Sequence, residues 1–346
     1  MKFLRKLLFP FALIYGGVVY LRNFLYDVSF LKSYSFDLPV IVVGNLSVGG
    51  TGKSPQTEYL IRLLASEYKV ATLSRGYKRK TKGFVLADEN ADAYTLGDEP
   101  FQFHTKFPEI TVAVDADRKN GIENLLAQPE PPEVILMDDA YQHRRVKGGF
   151  YILLTAFNDI YADDFILPVG NLREGKPGAK RADVIIVTKC PSDLTEPEQE
   201  FIINRLKPEE NQKIYFSFIE YDEAAISKTS SIAVNELKEK DKILLAGIAK
   251  PEPFFNYLKK EGDNCLRYPD HHYFSEKEIE ELKKLSKDKI IVTTEKDYMR
   301  LKGKLPDDRL FYLPIKSSFI NGGDDFNKTI LYYVGQSTAD GRIYKD

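Results

Sequence analysis

The sequence predicts an α/β protein: a P-loop NTPase-like parallel-sheet domain, a second, smaller α/β domain behind it, and a membrane-associated helix in front. Three stretches predict this. LPVIVVGNLSVGGTGKSP, Leu38 to Pro55, is a β-branched apolar run too short for a helix that empties into a glycine-rich turn. EVILMDD, Glu133 to Asp139, is a second apolar strand, ending on two carboxylates. Lys242 to Leu245 repeats the strand-to-turn pattern far downstream with no phosphate loop after it, which marks a second sheet.

In chain order, the first element is the apolar N-terminus. Lys2, Arg5 and Lys6 precede an uncharged run from Leu7 to Leu21, broken by Pro10 and the Gly16-Gly17 pair. A span needs about 20 apolar residues, so the run reads as a helix lying in a membrane interface. No small-residue cleavage site follows it, which argues against a signal peptide. Basic residues at its start favour an anionic, cytoplasmic leaflet.

The glycine-rich turn is the phosphate loop. Gly49, Gly50, Thr51 and Gly52 let successive backbone amides close around oxyanions, Lys53 reaches the β/γ-phosphates, and the Ser54 hydroxyl suits Mg²⁺. Asn45 lies at the mouth of the same loop. The usual glycine five positions before Gly52 is replaced by Ser47, a departure that brings the loop close to the KGGxGK class of ATPases, with Val48 where that class has lysine.

A helix over Thr57 to Tyr68 and a strand over Lys69 to Leu73 follow, then SRGYKRK at the strand's C-terminal rim, where parallel sheets bind ligands. Phe84 to Ala87 and Ile110 to Val114 read as strands, Arg118 to Ala127 as a helix, and Leu96 to Pro100 as a turn carrying Asp98 and Glu99. Asp138 and Asp139 are the acidic partners of the phosphate loop, one holding a magnesium-bound water and the other orienting the metal shell or a reacting group. Gln142 and His143 follow into the same cleft. Phe150 to Ala156 and Ala182 to Thr188 are further strands, with Lys189 after the second expected at the nucleotide. Between them, LPVGNLRE carries Arg173, placed to neutralise charge on a transferring phosphoryl group.

Beyond Cys190 the sequence predicts a helix at Glu198 to Leu206, a strand at Lys213 to Ile219, and a crossover at KTSS, Lys228 to Ser231. Ser275 to Leu285 reads as a capped helix, Lys289 to Thr293 as a strand, Thr329 to Gly335 as an edge strand, and Arg342 to Asp346 as a tail. The expected divisions are 1–35 for the helix, 36–225 for the phosphate-loop domain and 226–346 for the second domain, with the last segment packing back on the first.

Composition limits the function. With 49 basic and 51 acidic side chains in 346 residues there is no global electrostatic case for nucleic acid. Cys190 and Cys265 match no metal spacing, and DHHYF offers adjacent histidines without a third ligand, so zinc is not expected. Nucleotide chemistry remains, directed to water, to a small molecule or to a protein.

The ordered set GNLSVGGTGKSP, SRGY, GDEP, DDAYQH, LPVGNLRE, TK, AGIAKPEPF, DHHYF and TEKD resembles the tetraacyldisaccharide 4′-kinase family over nearly the whole chain. The resemblance makes Ser47 a family feature. It implies two Rossmann-like domains around a cleft, held to the cytoplasmic face of the bacterial inner membrane by the first helix. It also implies ATP and Mg²⁺ as cofactors, an acylated glucosamine disaccharide 1-phosphate as acceptor, and no obligate protein partner. On that reaction Asp98 is expected to take the acceptor hydroxyl proton, His271 to act as its partner, and Asp270 to orient His271 or cap a turn. Where the family more usually has Gly-Phe after the two aspartates, this chain has Ala140 and Tyr141. A partitioning-type ATPase and a non-catalytic nucleotide-dependent membrane adaptor are the alternatives.

Overall fold

The computed structural model describes residue 5 and residues 7–270 and 272–339; His271, Lys2, Lys6 and the Arg342–Asp346 tail lie outside the described residues. The first helix, α1 (Phe9–Asp27), runs unbroken through Pro10 and the two glycines, because proline in a first turn gives up an N–H that has no helical partner anyway. Among the described residues no helix is long and apolar enough to cross a membrane.

The phosphate-loop sheet begins at β1 (Val40–Asn45), followed by α2 (Lys53–Leu64), β2 (Val70–Ser74) and β3 (Val85–Leu86). A short turn of helix, α3 (Ala93–Leu96), precedes α4 (Asp98–Lys106), β4 (Thr111–Val114), α5 (Arg118–Leu126), β5 (Val134–Asp138) and β6 (Phe150–Ala156). Then come β7 (Val184–Thr188), α6 (Glu196–Leu206) and β8 (Lys213–Tyr221). The smaller sheet takes β9 (Ala224–Ile226), β10 (Ser231–Ala233), β11 (Lys242–Ala246), β12 (Asn264–Arg267), β13 (Ile290–Thr293) and β14 (Leu310–Tyr312). Its helices are α7 (Val234–Glu239), α8 (Glu252–Leu258), α9 (Glu276–Leu285) and α10 (Glu295–Leu301). The chain ends with β15 (Ile315–Phe319) and α11 (Gly323–Ala339).

The large sheet has the order β15-β8-β7-β6-β1-β5-β2-β4-β3 and the small one β10-β9-β14-β13-β11-β12. Strands β8 through β4 of the large sheet are parallel, with antiparallel β15 and β3 at its edges. Parallel strands covered on both faces read as continuous apolar runs, and β1 shows why: Ile41 and Val43 enter one core with Leu60 and Ile61 of α2, while Val40 and Val42 enter another with Ile122 and Leu125 of α5.

Four expectations are corrected. Helix α2 starts at Lys53, not Thr57, because Gly52 takes φ +82°, a left-handed conformation that ends the loop and frees the next residue to turn helical. The acidic turn at Leu96–Pro100 is the start of a helix, with Asp98 and Glu99 in its first turn, where the dipole favours negative charge. Thr329–Gly335 lies inside α11 and is not a strand; the β-branched content misled, whereas Phe326, Ile330 and Val334 repeat every four residues and are fully buried against the core of the large sheet. KTSS is the tight turn of the β9–β10 hairpin within the small sheet. The return to the large sheet comes at β15, which pairs with β8 from Ile315↔Tyr221 to Phe319↔Ser217.

The two sheets meet where α4 packs on α10. Lys106 sits between two buried carboxylates there, 2.8 Å from Glu58 and in contact with Glu295. Burial, then the Glu58 charge, pushes the Glu295 carboxyl up to about 7 against the pull of Lys106. A carboxyl raised by folding binds more protons folded than unfolded, so its contribution to stability is greatest at low pH and is lost as pH rises to about 7. Glu295→Gln is therefore expected to flatten the pH dependence of the melting temperature between about pH 5 and 7, and to raise the melting temperature above the parent's at pH 8. A melting temperature lower than the parent's at pH 8 would contradict this.

Candidate active site

The site lies at the C-terminal ends of the central strands, where the order turns outward on either side of β1. Parallel pairing of β1 with β5 sets Val43 beside Asp138, so the strand ends deliver Asn45 and the two aspartates to one rim. The Lys53 ammonium lies 3.5 Å from Asn45 Oδ1 and 3.6 Å from Asp139 Oδ1. From the 165–174 loop, Arg173 Nη1 donates to both Asp139 oxygens, at 3.0 and 3.2 Å. Asp138 instead accepts the Thr57 hydroxyl at 3.1 Å. Ser54 is buried one turn before Thr57 on the same face of α2.

The two aspartates are electrostatically unlike. Burial, then the charge of Asp139, pushes the Asp138 carboxyl up to about 6, against Lys53. Burial works the same way on Asp139, but Lys53 and Arg173 outweigh it and hold that carboxyl below the usual range. One carboxylate is thus a fixed negative charge between two cations, and the other is ready to accept a positive ligand.

The loop is held from its far side. Thr188 donates to the Thr51 carbonyl at 2.7 Å and Lys189 to the Gly50 carbonyl at 2.6 Å. Gln142 Nε2 bridges the Asn45 carbonyl, 2.8 Å away, and Glu174 Oε1, 2.9 Å away. Glu174 is fully buried, paired with Arg181 and accepting from Asn23 of α1 at 2.9 Å. Tyr15 of α1 also donates to the Arg173 carbonyl at 2.9 Å, so the first helix is seated on the loop that carries Arg173. Tyr141, in place of the more usual phenylalanine, is buried with its hydroxyl donating to the Gly178 carbonyl at 2.9 Å, so the added polar atom is satisfied.

Asn45, Thr51, Lys53, Ser54, Asp138, Asp139, Gln142, Arg173 and Lys189 are therefore gathered on one rim. Asp98 approaches from α4 and is buried, its Oδ2 2.6 Å from Arg300 Nη2 of the small-sheet domain. Its expected partner His271 lies outside the described residues. Of the basic run after β2, Arg79 is engaged by the Val114 carbonyl at 3.3 Å and is a structural residue of its turn.

A family model for tetraacyldisaccharide-1-P 4′-kinase, LpxK, matches residues 4–334. The chain belongs to this family. Its relatives include the tetraacyldisaccharide 4′-kinase of Flavobacterium psychrophilum, 59% identical over 99% of this chain and 100% of that one. The tetraacyldisaccharide 4′-kinase of Bacteroides thetaiotaomicron is 44% identical over 97% and 94%. The crystal structure of LpxK from Aquifex aeolicus in complex with ATP superposes with a TM-score of 0.77 at 31% identity, covering 96% of this chain and 99% of that one.

Several side chains of this kinase-family site escaped the sequence reading. Arg118, at the start of α5, is almost fully buried, and burial pulls its guanidinium down to about 10 while Asp138 and Asp139 hold it up. Its signal was the arginine closing DADR after β4. Lys296 pairs with Glu99 at 2.7 Å and Lys250 with Asp159 at 2.8 Å, both across the cleft from the small-sheet domain. Burial, then Lys250, Lys296 and Lys53, depresses the Lys189 ammonium, so four lysines from both domains share one field. TEKD and AGIAKPEPF marked these positions as motifs, but no local rule says that their lysines pair with carboxylates of the phosphate-loop domain.

Proposed function

We propose that the protein transfers the γ-phosphoryl group of ATP to the 4′-hydroxyl of a tetraacylated glucosamine disaccharide 1-phosphate, at the cytoplasmic face of a bacterial inner membrane. The observation that carries this reading is the convergence of Lys53, Asp139 and Arg173 beside the loop after β1, in a chain of the tetraacyldisaccharide 4′-kinase family. That the Aquifex aeolicus relative was crystallised with ATP supports the donor.

Lys53 and the amides of Gly49 to Ser54 hold the β- and γ-phosphates, with Asn45 and Lys189 fixing the lysine and the loop. Ser54 and Asp138 offer hard oxygen donors on one side of α2, a set that fits Mg²⁺, with Asp139 completing its surroundings. When bound, the ion neutralises phosphate charge. Arg173 faces the transferring group and offsets the charge that spreads over its equatorial oxygens. The 4′-oxygen attacks the γ-phosphorus as its proton passes to Asp98; the bond to the β-phosphate oxygen breaks and ADP leaves.

Membrane seating is assigned to α1. Phe11, Ile14, Val18 and Leu21 recur at helical spacing and are all exposed, while the opposite side of the helix holds the 171–174 loop. An apolar stripe of this size on a helix whose described residues are not long and apolar enough to cross a membrane suits an interfacial anchor.

One preparation tests both parts. Full-length protein in detergent is incubated with γ-labelled ATP and the acylated disaccharide, and separately sedimented with anionic vesicles. Label in the lipid product and protein in the vesicle pellet are expected. Label released as phosphate to water would make the protein a partitioning-type ATPase, and no turnover would make it an adaptor. Protein left in the supernatant would remove the membrane assignment alone.

A further inference from the structure

Arg300 joins two carboxylates of different domains. It is 6% exposed, on α10 of the small-sheet domain. Nη2 donates to Asp98 Oδ2 at 2.6 Å and Nη1 to Asp297 Oδ1 at 2.9 Å. Asp297 is fully buried and is fixed in turn: its Oδ2 accepts the Gly247 N–H at 2.8 Å and the Thr294 hydroxyl at 2.7 Å. Gly247 must be glycine for this approach, since a Cβ there would lie 2.9 Å from Asp297 Oδ1. A continuous set of contacts therefore runs from the loop after β11, which also carries Lys250, through Asp297 and Arg300 to the first turn of α4.

An interdomain ion pair serving only as glue needs neither this reach nor this fixity. A guanidinium with each prong committed to a different carboxylate has its plane and position set, and so sets the oxygen it touches. We infer that Arg300 is a positioning residue for phosphoryl transfer, aiming the Asp98 carboxylate and tying its orientation to the seating of the 247–250 loop. This rests on the reading of Asp98 as the base.

Among the described residues, Arg300 of α10 and Tyr273 of the segment after β12 interact with Asp98 itself, and Glu99, Lys296, Asp297 and Asp270 are the charged groups around them. Arg300 is a cation in direct contact with Asp98, so its removal makes Asp98 easier to protonate and moves the acidic limb of the rate profile to higher pH.

The experiment is steady-state kinetics of the full chain with ATP and the acylated disaccharide from pH 5 to 9. The variants are Arg300→Ala, Arg300→Lys, Asp98→Asn and the Asp98→Asn/Arg300→Ala pair. Arg300→Ala is expected to lower kcat by about 10²-fold, with the KM for ATP changed less than about threefold and the acidic limb raised by about one unit. Arg300→Lys keeps the charge but not the fork; it should restore the limb while kcat stays about tenfold low. The double variant should be no slower than Asp98→Asn. Parental kcat in either Arg300 variant, with Asp98→Asn slow, overturns the positioning role and leaves the base standing. A slow Arg300→Ala with an unmoved limb, or losses that add fully in the double variant, reduces Arg300 to a structural tie and also overturns it. Should Arg300→Ala fail to fold, Arg300→Lys decides by the same criteria. Parental turnover in Asp98→Asn removes the base itself, and the inference falls with it.

Discussion

Lys53→Ala is expected to lower the rate of phosphoryl transfer to the acylated disaccharide by about 10²–10³-fold while the protein remains folded. The side chain is largely enclosed at the mouth of the loop, with Asn45 and Asp139 as its partners. Alanine is a strong helix former, so α2 still starts after Gly52. What is lost is the point charge on the β/γ-phosphates and one of the two cations paired with Asp139, leaving Arg173 as its described salt-bridge partner. Lys53 also opposes the upward push on Asp138, so in its absence that carboxyl rises further above about 6. The variant's residual activity should consequently fall off at a higher pH than the parent's as the solution is acidified. Transfer of labelled γ-phosphate, set beside a thermal melt, checks this; parental rates in a folded variant would overturn the loop model.

Asp98→Asn is expected to lower kcat by ~10²–10⁴-fold with nucleotide affinity nearly unchanged. The substitution is isosteric, and the amide oxygen can still accept from Arg300, so the first turn of α4 should keep its place. Proton acceptance is removed, together with the negative charge that faces Arg300. The loop contacts of Lys53 with Asn45, Thr188 with Thr51 and Lys189 with Gly50 do not involve the Asp98 side chain. ATP binding measured by calorimetry separates this outcome from general damage. A purified Asp98→Asn enzyme with parental turnover would end the assignment of the base.

These expectations draw on residues of very different legibility. Lys53, Asp138 and Asp139 could be read directly, because a strand, a glycine-rich turn and a helix in sequence build the phosphate loop from neighbouring residues. A buried strand ending in two aspartates is equally local. Asp98 was visible as an acidic position, but its setting was misread as a turn. The helix that begins there is stabilised by packing Phe103 into the core shared with Leu60 and Leu64, which a nine-residue segment does not announce. Thr329–Gly335 failed for a related reason: two tyrosines and β-branched residues resemble a strand until Phe326 is counted with Ile330 and Val334.

The sequence by itself determined the nucleotide loop, its acidic partners, the alternation of strands and helices around them, and the apolar first helix, since each is set by contacts a few residues apart. Only the tertiary structure decided that β15 returns to pair with β8, that α1 rests on the loop bearing Arg173, and that Arg300 bridges Asp98 to Asp297 across the cleft. Those contacts join residues more than 90 positions apart, apart from Arg300 to Asp297, and they form only when the whole chain has come together. No local propensity encodes such a meeting; burial of the shared core and the pairing of charges that would otherwise be stranded in it do.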